Sequence, residues 1–110
     1  MINQVTLLGK VQGTPVVKTT QNGTAVLNFV LVTTEKRGET FESHYHRVSM
    51  FGYRVPQTAP MLTEGAEALV IGKIWARQLS NTTYPVEIVA SIIRVSMPPV
   101  KEQMPEWQGN

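Results

Sequence analysis

The 110-residue chain contains no cysteine and no aspartate. Without cysteine there can be no disulfide and no thiolate metal ligand, and a reducing, intracellular compartment is the expectation. The acids are eight glutamates, several of them in segments that read as loops, such as Glu35, Glu39 and Glu64. Aspartate-based metal sites, a Ser-His-Asp triad and paired-carboxylate hydrolysis therefore lose their usual components, although glutamate can replace aspartate in principle. No apolar run approaches the length of a membrane-spanning helix, and residues 1–8 lack the basic start and apolar stretch of a signal peptide. The expectation is a soluble, cytoplasmic protein with no membrane partner, in which catalytic residues are disfavoured and not forbidden.

The apolar fraction is 42%, ordinary for a folded domain, and the length suits one domain near the size where oligomerisation often helps. Formal charge is +2, which permits a polyanionic partner without requiring one, so the placement of the charges matters more than their sum.

Residues 2–11 alternate loosely and stop at Gln12-Gly13-Thr14-Pro15, which reads as a turn. Val16–Thr19 reads as a short strand before Asn22-Gly23, a strong hairpin signal. In Ala25–Thr34, the face carrying Ala25, Leu27, Phe29, Leu31 and Thr33 is the core side. The polar stretch Glu35–Glu42, with Gly38, reads as a mobile loop, and residues 42–51 form the next strand. Pro56 and Pro60 limit any helix in Val55–Glu64 to a turn or two, with Gly65 as its stop. Ala68–Leu79 and Tyr84–Met97 read as two strands joined by a hairpin loop at residues 80–83, and 98–110 as a flexible tail. About five strands with one short helix between the third and fourth is the order of a Greek-key barrel of the OB type. A β-sandwich would need more strands at tighter spacing. The domain is expected to span 1–97.

Within the third strand, Tyr45, Arg47, Ser49 and Phe51 fall on every second residue and so share a face, with the two aromatics about 20 Å apart. Val48 and Met50 point the other way, toward the core. In the fourth strand, Lys73, Trp75 and Arg77 share a face. Rings flanked by cations on a sheet surface suit the flat bases and charged backbone of unpaired nucleic acid. Tyr45, Phe51 and Trp75 are the candidate stacking residues. Arg47, Lys73, Arg77, Lys36 and Arg37 are the candidate phosphate contacts, and Tyr53, Arg54 and Lys18 complete the candidate surface. The alternatives are plain packing for the aromatics, a rim position for Trp75, and solvated loop charges for the cations.

His44 and His46 lie two apart on one strand face, a spacing that raises zinc, but neither cysteine nor aspartate is available to complete a site. Ser43 or Ser49 near a histidine lacks the third group and oxyanion site of a nucleophile. Trp107 is compatible with a tag-like residue, a partner anchor or a lid.

Tyr45-His46-Arg47-Val48 followed by Phe51-Gly52 resembles the bacterial-type single-stranded DNA-binding protein family, whose usual signature reads Trp-His-Arg-Val and then Phe-Gly. Met1-Ile2-Asn3-Gln4-Val5 with Leu8-Gly9, Thr20–Val26 with Asn28-Phe29, and Gly65, Gly72 and Tyr84–Ala90 continue the match in order. The resemblance implies an OB-fold homotetramer that wraps unpaired DNA without strong sequence preference, in replication, recombination or repair, and uses no cofactor. It places Tyr45 and Phe51 at base-stacking positions, His46 at a subunit interface, and Asn3 to Lys10, including Val5 and Leu7, on the strand that pairs two subunits. Departures are Arg37 and Leu79 where stacking residues are usual, Trp75 where a basic residue is usual, and Glu64 where a lysine commonly contacts phosphate. The tail has no run of acids and no terminal phenylalanine to recruit other replication or repair proteins. A dimeric primosome accessory protein related to primosomal replication protein B is the nearest rival, and a protein-interaction OB domain that binds no nucleic acid is a third possibility.

Overall fold

The computed structural model describes residues 1–76, 78–82 and 85–96. Five strands, β1 (Val5–Thr19), β2 (Ala25–Arg37), β3 (Thr40–Phe51), β4 (Glu67–Ala76) and β5 (Val86–Val95), form one sheet in the order β1-β2-β3-β5-β4. Because β4 also pairs with β1, the sheet closes on itself into the expected Greek-key barrel. The only helix among the described residues is α1 (Val55–Thr58) with a 3-10 turn, Ala59–Met61, between β3 and β4. Pro56 and Pro60 sit at the starts of these two pieces, where a missing N–H does no harm, and neither piece extends.

The barrel is filled from the face predicted for β2: Leu27 and Leu31 are fully buried and Phe29 nearly so. Val11, Val48, Met50, Val70 and Ile88 meet them from the other strands, while Val55 and Leu62 close one end beneath the short helix. Each of the larger side chains so buried contributes ~1.5–3 kcal/mol. The β3–β5 seam is the narrowest, parallel pairing over Val48–Ile88 and Ser49–Val89.

Three local readings are corrected. Gln12–Pro15 is an irregularity inside one long strand and makes no turn: β1 pairs with β2 both before it and after it, with the register shifting between Gln12 and Val16, while Val5–Lys10 pair with β4. Glu64 Oε1 accepts the backbone N–H of Gly13 at 3.1 Å and pins this irregular stretch. The Glu35–Glu42 segment is no loop; β2 and β3 stay paired out to Arg37–Thr40, forming a two-stranded ribbon. Its tight turn is Gly38-Glu39, with Gly38 at φ 64°, the glycine-first arrangement of a type II′ turn, and the Thr40 hydroxyl donates to Arg37 O at 3.0 Å. The fourth strand ends at Ala76, short of Leu79, and the fifth begins at Val86. Arg77, Tyr84 and the tail with Trp107 lie outside the described residues.

Candidate nucleic-acid interface

Strand register sets out the surface row by row. Opposed residues of antiparallel strands project on the same side, so β1, β2 and β3 together present Lys18-Val26-Phe51, Val16-Asn28-Ser49, Gln12-Val30-Arg47 and Lys10-Val32-Tyr45. Across the seam, β5 and β4 continue this face with Val89-Lys73 and Glu87-Trp75. The two segments singled out by alternation, one in β3 and one in β4, therefore flank β5 on the same side of the sheet.

They border one groove of about 640 Å³, lined by Arg47, Phe51, Lys73, Trp75, Leu79, Pro85, Glu87 and Val89. Phe51 is 53% exposed and Trp75 50% exposed, so both rings offer a free face. The Lys73 ammonium lies 5.7 Å from the Trp75 ring centroid, within range of a cation–π attraction that holds cation and ring together. A second hollow of about 510 Å³ adjoins the first through Arg47 and Glu87 and is bounded on its far side by Lys18. Arg47 is thus the shared wall of a continuous path.

The floor of this path differs from the sequence expectation. Ser49, expected on the solvent side between Arg47 and Phe51, is only 2% exposed. Its hydroxyl meets the Glu87 carboxylate and lies 2.7 Å from Asn28 Oδ1. A hydroxyl carries a single proton, so both bonds are made at once only when the Asn28 amide turns its NH2 toward Ser49 Oγ. The parity was right, but β5 covers the middle of the strand. Glu87 is consequently a carboxylate set among Arg47 and Lys73.

The other candidates distribute around this path. Tyr45, 63% exposed, stands beyond both hollows on the inner end of the ribbon. Tyr53 and Arg54 form their own cation–π pair at 5.6 Å just past Phe51. Lys36 lies near the ribbon tip opposite Phe41. Arg37 falls on the other ribbon face, ion-paired to Glu42 at 3.4 Å. Of the proposed interface residues, Val5 and Leu7 are half-buried and pack against the chain's own core. Asn3 extends the β1–β4 ladder, its amide accepting from Ile74 N and donating to Ile74 O at 2.9 Å each. His46 bonds Thr33 Oγ1 at 2.8 Å, and burial first, then the neighbouring His44, lowers its pKa below the usual 6.5.

Sequence reading placed Leu79 at a usual stacking position but left out Pro85, Glu87 and Val89 as groove residues, and Lys10 and Phe41 as members of the aromatic face. Strand parity was enough to find Phe41, which is four residues from Tyr45; the β4–β5 contributors needed the pairing register. The histidines do not converge on each other. His44 instead meets Glu35 at 3.3 Å and Glu42 at 3.2 Å, and these three exposed groups bring their possible ligand atoms within 4.8 Å of one another. With Arg37 they form a surface charge cluster that needs no ion to hold it.

Over residues 2–97 the sequence matches the single-strand binding protein family. That span takes in all five strands and both halves of the groove. The chain therefore belongs to the single-strand binding protein family.

Proposed function

We propose that this chain binds single-stranded DNA without strong sequence preference and protects it during replication, recombination or repair. The observation that carries the reading is the convergence of Phe51 and Trp75, two half-exposed rings, with Arg47 and Lys73 on one open groove. Bases stack on the rings, each worth ~1–3 kcal/mol by alanine substitution, and the cations neutralise the backbone that runs between them. Every nucleobase has a flat face, so the grip is tolerant of sequence. Paired bases hide those faces, so duplex is a poor ligand.

The activity is binding, with no chemical step and no cofactor. The functional unit is a cytoplasmic homotetramer, in keeping with the family; a native mass of two copies would favour a primosome accessory role instead. The direct test is fluorescence anisotropy of a labelled oligo-dT at low salt. Phe51→Ala combined with Trp75→Ala should weaken binding by at least tenfold, and unchanged binding would refute the assignment of the groove.

A further inference from the structure

Glu87 lines both hollows of the groove, and no other acid does so among the described residues. It stands directly opposite Trp75 in the β4–β5 ladder. Opposed residues of antiparallel strands project on the same side with Cβ atoms roughly 4.5–5.5 Å apart, so a base stacked on Trp75 has the carboxylate at its edge. One carboxylate oxygen is engaged, because the Ser49 hydroxyl donates to Oε1. Oε2 has no partner among the described residues, and none of their buried side-chain oxygens or nitrogens is unpartnered. Oε2 is therefore open to solvent in the groove.

Tying down Ser49 calls for an acceptor but not for a charge, since a glutamine carbonyl would serve. On the path of a polyanion the charge itself costs affinity. What the free oxygen adds is a strong acceptor with no donor of its own. Nucleobases differ in what they offer it. Cytosine, adenine and guanine each carry an exocyclic amino group, and a carboxylate accepts readily from the cytosine amine. Thymine has none, and its one ring N–H sits between two carbonyl oxygens that repel a carboxylate. We infer that Glu87 reads the edge of the base stacked on Trp75, favouring a base with an exocyclic amino group over thymine. This inference rests on the proposed function and gives the groove a preference at one nucleotide within an otherwise sequence-tolerant grip.

The surroundings hold this acceptor in place. Ser49 is buried and also lies 2.7 Å from Asn28 Oδ1, so Oε1 is tied to the floor of the groove and Oε2 is left for the ligand. Little order then has to be created on binding. Arg47 and Lys73 line the groove beside Glu87, and they draw the phosphates away from the carboxylate. A base that donates to Oε2 offsets the repulsion that remains, whereas thymine leaves it uncompensated.

The experiment crosses the protein change with a change in the base. Wild type and Glu87→Gln are titrated at low salt with labelled oligo-dC, oligo-dT and a strand of the cytosine analogue that lacks the amino group. Comparing affinity ratios between the two proteins cancels the different stacking of the free strands. The dC-to-dT ratio should be about threefold or more higher in wild type than in Glu87→Gln, with oligo-dT binding the variant more tightly. Wild type should favour oligo-dC over the analogue strand by about 5-fold or more, and the variant should lose most of that margin. Ratios that are equal in the two proteins, or higher in the variant, overturn the inference while leaving the groove intact. If Glu87→Gln fails to fold, wild type decides alone: equal affinity for oligo-dC and the analogue strand overturns the base reading, and the expected margin supports it. Absence of wild-type binding to all three strands removes the groove reading and the base preference together.

Discussion

The ammonium of Lys73 sits 5.7 Å from the ring centroid of Trp75, two residues further along β4 and on the same side of the strand. In the proposed reading Trp75 is both the stacking platform and an optical reporter of the groove. Trp75 is half exposed, which leaves ring surface available to a base.

Trp75→Ala should weaken oligo-dT binding about 5- to 100-fold, whereas Trp75→Phe retains most of the affinity because a ring remains. Lys73→Ala should do something different. It should flatten the dependence of log K on log salt by about 0.7, the loss of one phosphate contact on a single strand. Anisotropy titrations at several salt concentrations separate the two effects.

Glu87 opposes the charge of its surroundings. Its carboxylate takes the Ser49 hydroxyl and borders both hollows beside Arg47. Glu87→Gln keeps the shape and a hydrogen-bond acceptor while removing a negative charge from the path of a polyanion. Binding at low salt should tighten several-fold, and the gain should shrink as salt rises and screens it. Weaker binding of the variant at low salt would mean that the carboxylate itself contacts the ligand.

His46 connects the fold to pH. Its folded-state pKa lies below the unfolded value of about 6.5 because burial, reinforced by His44, disfavours the charged ring. The neutral form is the one the fold accepts, so its contribution is fully present above the unfolded pKa. It is lost as pH falls toward and through the lowered folded pKa. Thermal melts should show stability declining on acidification from pH 7 into the 5–6 range. In His46→Gln that part of the decline should be absent.

Gly72 marks where β4 slips its register against β5, between Ile71 and Gly72. A Cβ there would lie 2.1 Å from Val89 O and 2.8 Å from Ala90 Cα, both backbone atoms of the neighbouring strand. Gly72→Val must force the strands apart and should cost ~1–3 kcal/mol or more. Because Lys73 and Trp75 follow directly, groove binding should fall with it. Chemical denaturation and anisotropy on the same variant check both parts.

The rings of Tyr45 and Phe51 and the core positions Val48 and Met50 were legible because the alternation of side-chain direction is a local property, and β3 pairs with β2 in unbroken register from Thr40 to Phe51. Ser49 escaped because its burial comes from β5, whose parallel pairing joins residues about forty apart in sequence. The same distance hid Glu87 and Pro85 from the groove. The ribbon was misread for a different reason: Glu35, Lys36, Arg37 and Glu39 have the composition of a loop, yet a well-placed Gly38 and continued backbone pairing make them a hairpin end. Glu64, which looked like a lost phosphate contact, instead anchors Gly13, a role that no local pattern announces.

The central claim is that the groove takes unpaired bases, and the most direct measurement is a competition titration. Tryptophan emission is followed while a bound oligo-dT is challenged with either unlabelled single strand or duplex of equal length, over a range of salt. The account predicts quenching on binding, displacement by single strand at far lower concentration than by duplex, and a salt slope of about −2 or steeper from Arg47, Lys73 and Lys18 together. Duplex that competes as well as single strand, or binding with no change in tryptophan emission, would contradict it.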